Sequence, residues 1–248
     1  VEESYLDCQI VREIEDNQTE VLVVAAPRDI VETRISAVQH AGLETEAVEL
    51  EAFALYRTLV EFDAGFENET TIAIIDIGGE NTDVSIVDKG AFALTRSIPI
   101  AGKQLTKALE NYFKLAPDEA EKGKQAISVD SLIDNTGPME NPPLRIIQPL
   151  IDELIREIRR SLNYYHSQLP GQSPNKSVNQ ILLTGGTSLM KGLGNYISNR
   201  LGIPVLSPNF LDNPRFRVST FEPNDSPKTL AAAVGLAMRA HEKMLVAA

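Results

Sequence analysis

Cysteine and histidine are scarce in this 248-residue chain, which contains one cysteine and three histidines. The single Cys8 excludes an intramolecular disulfide and a cysteine-ligated metal cluster, and it fits a protein from a reducing, cytosolic compartment. His40, His166 and His241 lie far apart and lack the spacing of metal ligands. We therefore expect no zinc chemistry.

Basic residues are also outnumbered, because 23 lysines and arginines face 35 aspartates and glutamates, for a net charge of -12. This balance, without any basic run, argues against nucleic acid or an anionic membrane surface as the main partner. No apolar run is long enough to span a membrane, and the start of the chain, VEESYLDC, is too acidic for a signal peptide. Since the chain begins with Val1 rather than methionine, we expect it to be a piece of a longer protein.

Apolar residues suffice for a core, since 43% of the residues are hydrophobic and the length allows one large or two moderate domains. Alternation predicts two paired strands, at 5–13 and 20–26, and then a helix that Asp29 caps and that runs to about His40. Helical spacing predicts further helices at 51–61, 102–115, from 117 onward, at 145–169 and at 227–245. Periodicity is lost before the longest of these, and we expect 135–143 to form an exposed, mobile loop.

The most informative stretch runs from Thr70 to Ile100, TTIAIIDIGGENTDVSIVDKGAFALTRSIPI. A β-branched, apolar strand carries Asp76 near its end, and Gly78-Gly79 then allows a sharp turn and a close approach of the backbone to a ligand. Two further strands follow, joined by a second turn. A carboxylate at a strand end, glycine amides, and hydroxyl and amide side chains can hold the phosphates of a nucleotide with magnesium. An ordinary hairpin turn explains this stretch equally well when it is taken alone.

A second glycine turn follows another predicted buried strand, at 178–184, within the run ILLTGGTSLMKG. We expect a helix from Ser188 to Leu201 to begin directly after it, with its first N–H groups facing whatever the turn encloses. Neither turn matches a Walker loop or a dinucleotide fingerprint. The last predicted helix is rich in alanine and glycine around 229–238, which allows close packing against a neighbour or a ligand, and we favour packing alone.

The order of these motifs resembles that of the actin-like ATPase superfamily, and the run AEKGK at 120–124 adds to the resemblance. More narrowly, the chain resembles the PilM family of type IV pilus assembly proteins, with the division protein FtsA as the next relative. The segments that carry this resemblance are PRDIVETRISAVQHAGLETEAVELEAFALYRTL, the central stretch and ILLTGGTSLMKGLGNYISNRLGIPV. It covers nearly the whole chain. It implies an α/β, actin-like (ribonuclease H-like) fold that lacks part of its N-terminal portion.

The resemblance also implies an organisation into four parts. They are a remainder of the family-specific small subdomain (1–43), the first connecting segment and helix of the core (44–69), the second actin-like half (70–206) with a helical subdomain at about 103–177, and a C-terminal connection and helix (207–248). The first phosphate loop of the superfamily should precede Val1. We therefore expect a weak ATPase at most.

Roles for individual residues are likewise implied by the resemblance alone. Asp76 would act on magnesium through water, and Glu51 would lie close to the attacking water. Ligand contacts are implied for Gly78, Gly79, Asn81 and Thr82 at the phosphates, for Glu121 and Lys124 at the ribose and base, and for Gly185, Gly186 and Thr187 at the adenosine. Purely structural explanations stay open, since Glu51 can be a charge at a helix start and the Glu121 and Lys124 pair a solvated helix face. A carboxylate at Glu80 would repel phosphate, so we expect that side chain to point outward.

The implied function is a cytoplasmic, ATP-binding adaptor in type IV pilus assembly, peripheral to the inner membrane through its partners. Its cofactors would be ATP and Mg2+. Its partners would be the cytoplasmic N-terminal tail of a PilN-like inner-membrane protein and other pilus assembly proteins, with no nucleic acid. A small-molecule kinase of the same superfamily is one alternative. A second is an FtsA-like polymer-forming protein, although residues 244–248 are too short for a membrane anchor. The sequence leaves open whether the chain forms a homo-oligomer.

Overall fold

The computed structural model describes residues 3–14, 18–61, 70–133, 141–168, 177–212 and 226–246. The chain divides into two compact units, Val1–Leu50 and Glu51–Ala248. The finer, four-part organisation stays a prediction. Within the described residues, no helix is both long enough and apolar enough to cross a bilayer.

The first unit is a hairpin followed by a helix, as predicted. Strands β1 (Ser4–Ile14) and β2 (Gln18–Pro27) pair antiparallel, and helix α1 (Arg28–His40) follows directly. The prediction that Asp29 caps this helix is wrong. Pro27 occupies the cap position without a side-chain cap hydrogen bond, and Asp29 lies in the first turn, where its charge favours the positive end of the helix dipole.

The second unit is built on a five-stranded sheet with the order β5-β4-β3-β6-β7. Its strands are β3 (Thr71–Ile77), β4 (Thr82–Asp88), β5 (Ala91–Ile98), β6 (Gln180–Thr184) and β7 (Val205–Leu206). The first three form an antiparallel meander, whereas β6 pairs parallel with β3 and β7 pairs parallel with β6. The strand that carries Asp76 therefore lies in the middle of the sheet.

Helices cover both faces of this sheet. They are α2 (Glu51–Tyr56), which continues as a π-helix (Arg57–Glu61), α3 (Gly102–Phe113), α4 (Pro117–Gln125), α5 (Pro142–Ser167), α6 (Leu193–Leu201) and α7 (Pro227–Val246). Because side chains alternate along a strand, Ile75 and Ile77 join a core with α3, α5 and α6, while Ile72 and Ile74 join a second core with α2 and α7. Burial on both faces explains why β3 is a continuous apolar run.

The longest helix, α5, begins earlier than predicted. Asn141 caps it by accepting a hydrogen bond from the Leu144 amide at 3.1 Å, and Pro142 opens its first turn, where a missing N–H costs nothing. The prediction of a mobile loop at 135–143 is therefore wrong for 141–143, and 135–140 lie outside the described residues. Proline signals a loop and a helix start alike, and only the capping contact distinguishes them.

The small-residue helix α7 packs directly against α2, as its composition predicted. A side chain added at Gly235 would overlap the carbonyl of Ala54. The hydroxyl of Thr58 donates to the carbonyl of Ala231 at 2.7 Å, and the guanidinium of Arg57 donates to the carbonyl of Gly235 at 2.8 Å. The close approach of α7 to α2 and its π-helical continuation thus depends on the missing side chain at Gly235 and on side-chain hydrogen bonds to the backbone of α7.

We expect Gly235→Ala to lower the free energy of unfolding by about 2–4 kcal/mol, because the new methyl group must push two backbones apart. Urea denaturation, monitored by circular dichroism, measures this change in the free energy of unfolding. The matched control is Gly123→Ala in α4, where an added Cβ meets nothing within 4 Å and the better helix propensity should stabilise by about 0.5–1 kcal/mol. Equal effects at the two glycines would contradict this account of the α2–α7 contact.

Candidate functional site

The two glycine turns lie side by side at one end of the sheet. Asp76 pairs with Asp83 across β3 and β4, and with Thr184 across β3 and β6, so Gly185 follows directly beside it. The hydroxyl of Thr187 in the second turn donates to the carbonyl of Gly78 in the first at 2.7 Å. Two segments that lie 109 residues apart in the sequence therefore meet at one place.

Gly185 is the point of closest approach between the turns. Its φ of 88° lies in the left-handed region, which favours glycine. A side chain there would overlap a carboxylate oxygen of Asp76 and the carbonyl of Ile77. Glycine at this position is thus required by the contact itself.

Three carboxylates converge at this end of the sheet. Burial, and then the charges of Glu51 and Asp83, raise the pKa of Asp76 to about 7. Burial and the charge of Asp83 also raise the pKa of Glu51, the first residue of α2. Among the described residues, no lysine or arginine forms an ion pair with any of the three. The result is a concentrated negative charge that a cation would relieve.

Sequence reasoning missed Asp83 as a member of this cluster. The signal was present, because a turn over Gly78–Asn81 pairs Ile77 with Thr82 and hence Asp76 with Asp83. Within the described residues, no three His, Cys, Asp or Glu side chains are placed to hold a metal ion. Glu51, Asp76 and Asp83 therefore interact through their charges and are not placed as three direct ligands of one ion.

The first turn presents its backbone to solvent and directs one side chain away. Gly79, Glu80 and Asn81 are exposed. The Glu80 side chain is 72% exposed and forms an ion pair with Lys103, whose hydrogen bond and charge lower the pKa of that carboxyl. The expectation that Glu80 points outward is confirmed.

The Thr82 side chain points into the protein, whereas its predicted role as a phosphate contact requires an accessible hydroxyl. Its side chain is fully buried, and its hydroxyl donates to the carbonyl of Ile100 at 2.7 Å. It therefore ties the turn to the segment after β5. This arrangement leaves the hydroxyl unavailable for a phosphate.

Lys124 is buried next to Gly102, whereas the Glu121 side chain is 41% exposed, so the pair is only partly solvated. Lys124 is buried, and its ammonium donates to Glu121 at 2.7 Å and to the carbonyl of Gly102 at 3.3 Å. Thr106 also donates to Glu121, at 2.6 Å. Burial raises the pKa of Glu121, but the hydrogen bonds from Lys124 and Thr106 and the charge of Lys124 more than offset this, so the pKa is lowered.

Gly102, at the start of α3, links this pair to the turns. Its amide donates to the carbonyl of Gly78 at 3.1 Å, and a Cβ added there would come within 3.1 Å of the Lys124 ammonium. Gly78, Gly102, Lys124 and Thr187 therefore form one connected group. The sequence indicated three of these four residues and missed Gly102.

The second turn continues differently from the prediction. Gly186–Leu189 forms a short 3-10 helix, and α6 begins only at Leu193. Gly192, with a φ of 81°, separates the two. The expectation that the N–H groups of a helix starting at Ser188 face the turn is therefore wrong.

The start of α7 lies against the second turn, and sequence reasoning missed the part of Lys228 in this contact. The carbonyl of Lys228 accepts hydrogen bonds from the Thr184 hydroxyl at 2.9 Å and from the Gly185 amide at 3.2 Å. The Lys228 ammonium donates to the carbonyl of Ser188 at 3.3 Å, and burial lowers its pKa. The Lys228 ammonium thus lies beside the second turn, although the helix that carries it is far from this turn in sequence.

This mixed sheet, with helices on both faces and two glycine turns at one end, defines a protein of the actin-like ATPase fold, and solved structures agree. A PilM-PilN type IV pilus biogenesis complex is similar with a TM-score of 0.75 and 24% identity, over 96% of this chain and 66% of that one. MreB5 of Spiroplasma citri bound to AMPPNP is similar with a TM-score of 0.61 and 17% identity, over 89% of this chain and 67% of that one.

The chain belongs to the family of type IV pilus assembly protein PilM, whose family model matches residues 1–241. It is also similar to the cell division protein FtsA of Pseudomonas aeruginosa, with 30% identity over 67% of this chain and 43% of that protein. FtsA of Bacillus subtilis shows 24% identity, over 78% of this chain and 46% of that protein. The chain thus spans less than half the length of these two relatives.

Proposed function

We propose that this chain is the ATP-binding portion of a PilM-type adaptor in type IV pilus assembly, and that it acts by holding the cytoplasmic N-terminal tail of a PilN-like inner-membrane protein. The observation that carries the proposal is the meeting of the two glycine turns around Asp76 in a chain of this family. The PilM protein in the similar solved structure is in complex with PilN, which supports the choice of partner.

ATP and magnesium fit the chemistry of the cleft. The three carboxylates supply oxygen donors for a hydrated magnesium ion, which would neutralise phosphate charge when bound. The exposed backbone of Gly79 and Asn81 can approach phosphates. The Glu121 and Lys124 pair and the turn at Gly185–Thr187, which hydrogen bonds connect to Gly78, offer polar groups for a ribose and a base.

Hydrolysis should be slow in this chain. Phosphoryl transfer depends on positioned groups that neutralise charge on the transferred phosphate. The carboxylates that surround Asp76 add negative charge, and the buried Lys124 is occupied by Glu121 and Gly102. We therefore infer that ATP serves to set the conformation of an adaptor rather than to drive turnover.

The test titrates Mg-ATP into the chain by calorimetry and then titrates the chain into a fluorescent peptide that covers the cytoplasmic tail of the PilN protein from the same genome. We expect saturable binding of both, with the peptide affinity changed by ATP. ADP production is measured in parallel with a panel of sugars and acids. Substrate-stimulated ADP production without peptide binding would overturn the adaptor in favour of a small-molecule kinase.

A further inference from the structure

A cleft lies at the far end of the sheet from the glycine turns, between the C-terminal ends of α5 and α6. It encloses a cavity of about 220 Å³, which is smaller than the roughly 300–1,000 Å³ typical of pockets for drug-sized ligands. Its floor is apolar, formed by Leu162, Val178, Leu201 and Ile203. These dimensions suit one bulky apolar side chain rather than a cofactor.

The rim of this cleft is polar and carries positive charge. Arg159, Asn163 and His166 line it from α5 and are exposed. Arg159 reaches across to α6 and donates to the carbonyl of Arg200. The cleft thus has an apolar floor and a guanidinium group at its rim.

Arginines continue along α5 next to the cleft. Arg156 is exposed one turn before Arg159, and neither forms an ion pair with a carboxylate in the described part of the chain. Arg160 shares Glu157 with Arg96. In a chain of net charge -12, this is a local surface of the opposite sign, which favours an acidic partner.

We propose that this cleft binds an acidic peptide segment of a partner protein, with one large apolar side chain in the cavity and the neighbouring carboxylates on Arg156 and Arg159. Carboxylates pair well with guanidinium groups, and an apolar anchor in a preformed pocket is the usual centre of a peptide interface. The proposal does not depend on nucleotide binding, because β6 separates the cleft from Gly185 by its full length, about 16 Å at strand rise.

The test uses three fluorescein-labelled octapeptides in fluorescence anisotropy against the whole chain. One has a central tryptophan flanked by aspartate and glutamate, one replaces the tryptophan by alanine, and one replaces the acidic flanks by lysine. We expect the acidic tryptophan peptide to bind, the alanine peptide to bind at least about tenfold more weakly, and the lysine peptide not to bind. Higher salt should weaken the first interaction.

Two variants test the cleft in independent ways, with circular dichroism to verify folding. Arg159→Glu reverses the rim charge, and Asn163→Trp fills the cavity from its exposed edge without changing charge. Each variant should bind the acidic tryptophan peptide at least about tenfold more weakly than the parent does. Arg145→Glu is the matched control, since it makes the same charge change on α5 about 21 Å away at roughly 1.5 Å per residue, and it should leave binding unchanged.

Several results would overturn the proposal. The first is a parent chain that binds neither of the peptides with acidic flanks. The second is an Arg159→Glu or Asn163→Trp variant that binds the acidic tryptophan peptide as tightly as the parent does. The third is a lysine-flanked peptide that binds the parent as tightly as the acidic tryptophan peptide does. A concentration-dependent dimer in sedimentation, lost in Asn163→Trp, would assign the cleft to a second copy of the chain instead.

Discussion

Asp76→Asn should weaken Mg-ATP binding by about 10- to 100-fold and leave metal-free ATP binding unchanged or tighter. The two expectations differ because the carboxylate has two opposite interactions. It attracts a hydrated magnesium ion, and it repels the anionic phosphates when no metal is present. Calorimetry at pH 8, with excess magnesium or with a chelator, separates them.

The control for this prediction is Asp118→Asn. Asp118 is exposed in the first turn of α4, so the variant makes the same change in net charge outside the cleft. Its Mg-ATP affinity should equal that of the parent. If Asp76→Asn also binds Mg-ATP as the parent does, Asp76 has no part in the metal site.

Asp76→Asn should also make the nucleotide-free protein more stable above pH 7. Since the folded-state pKa of Asp76 is raised to about 7 from an ordinary value of 3.8, the folded state retains a proton that the unfolded state releases between these values. The contribution of Asp76 to the stability of the parent therefore falls as pH rises through this window and is constant above it. Asparagine removes this cost, which we place at about 2–4 kcal/mol, and below about pH 4 the advantage disappears.

Urea denaturation of both proteins between pH 4 and 8.5 measures this difference. Glu51→Gln and Asp83→Asn remove the neighbouring charges that raise the pKa of Asp76. In either background the pH window should move to lower pH and the gain from Asp76→Asn should shrink. A difference between parent and Asp76→Asn that stays constant with pH would show that Asp76 is not held protonated near neutrality.

Strands and helices were predictable where local pattern and tertiary environment agree. The run at Thr71–Ile77 is apolar throughout because both its faces are buried, and the amphipathic stripe of α5 faces a core. Helix starts were less predictable. Asp29, Asn141 and Ser188 belong to residue types that cap helices, but which of them caps depends on the path of the flanking backbone, and only Asn141 does so here.

Part of the site was visible in the sequence because two glycine turns after buried strands occur in the order typical of a known family. The roles of their neighbours were less visible. Thr82 has the right chemistry for a phosphate, but its hydroxyl is used within the fold. Lys228 comes from a helix far along the chain, Gly102 opens the helix that follows β5, and nothing local marks either residue.

The sequence by itself determined the family, the two glycine turns and the position of Asp76 near the end of β3. Strand burial and glycine geometry are local requirements, so they can be recognised in the sequence. The tertiary structure alone decided that Glu51 and Asp83 lie close enough to the buried Asp76 for their charges to raise its pKa, and that an arginine-rimmed cleft lies at the opposite end of the sheet. Both depend on which segments pack together. The energy of a charge or a cavity is set by neighbours in space, which the order of residues does not specify.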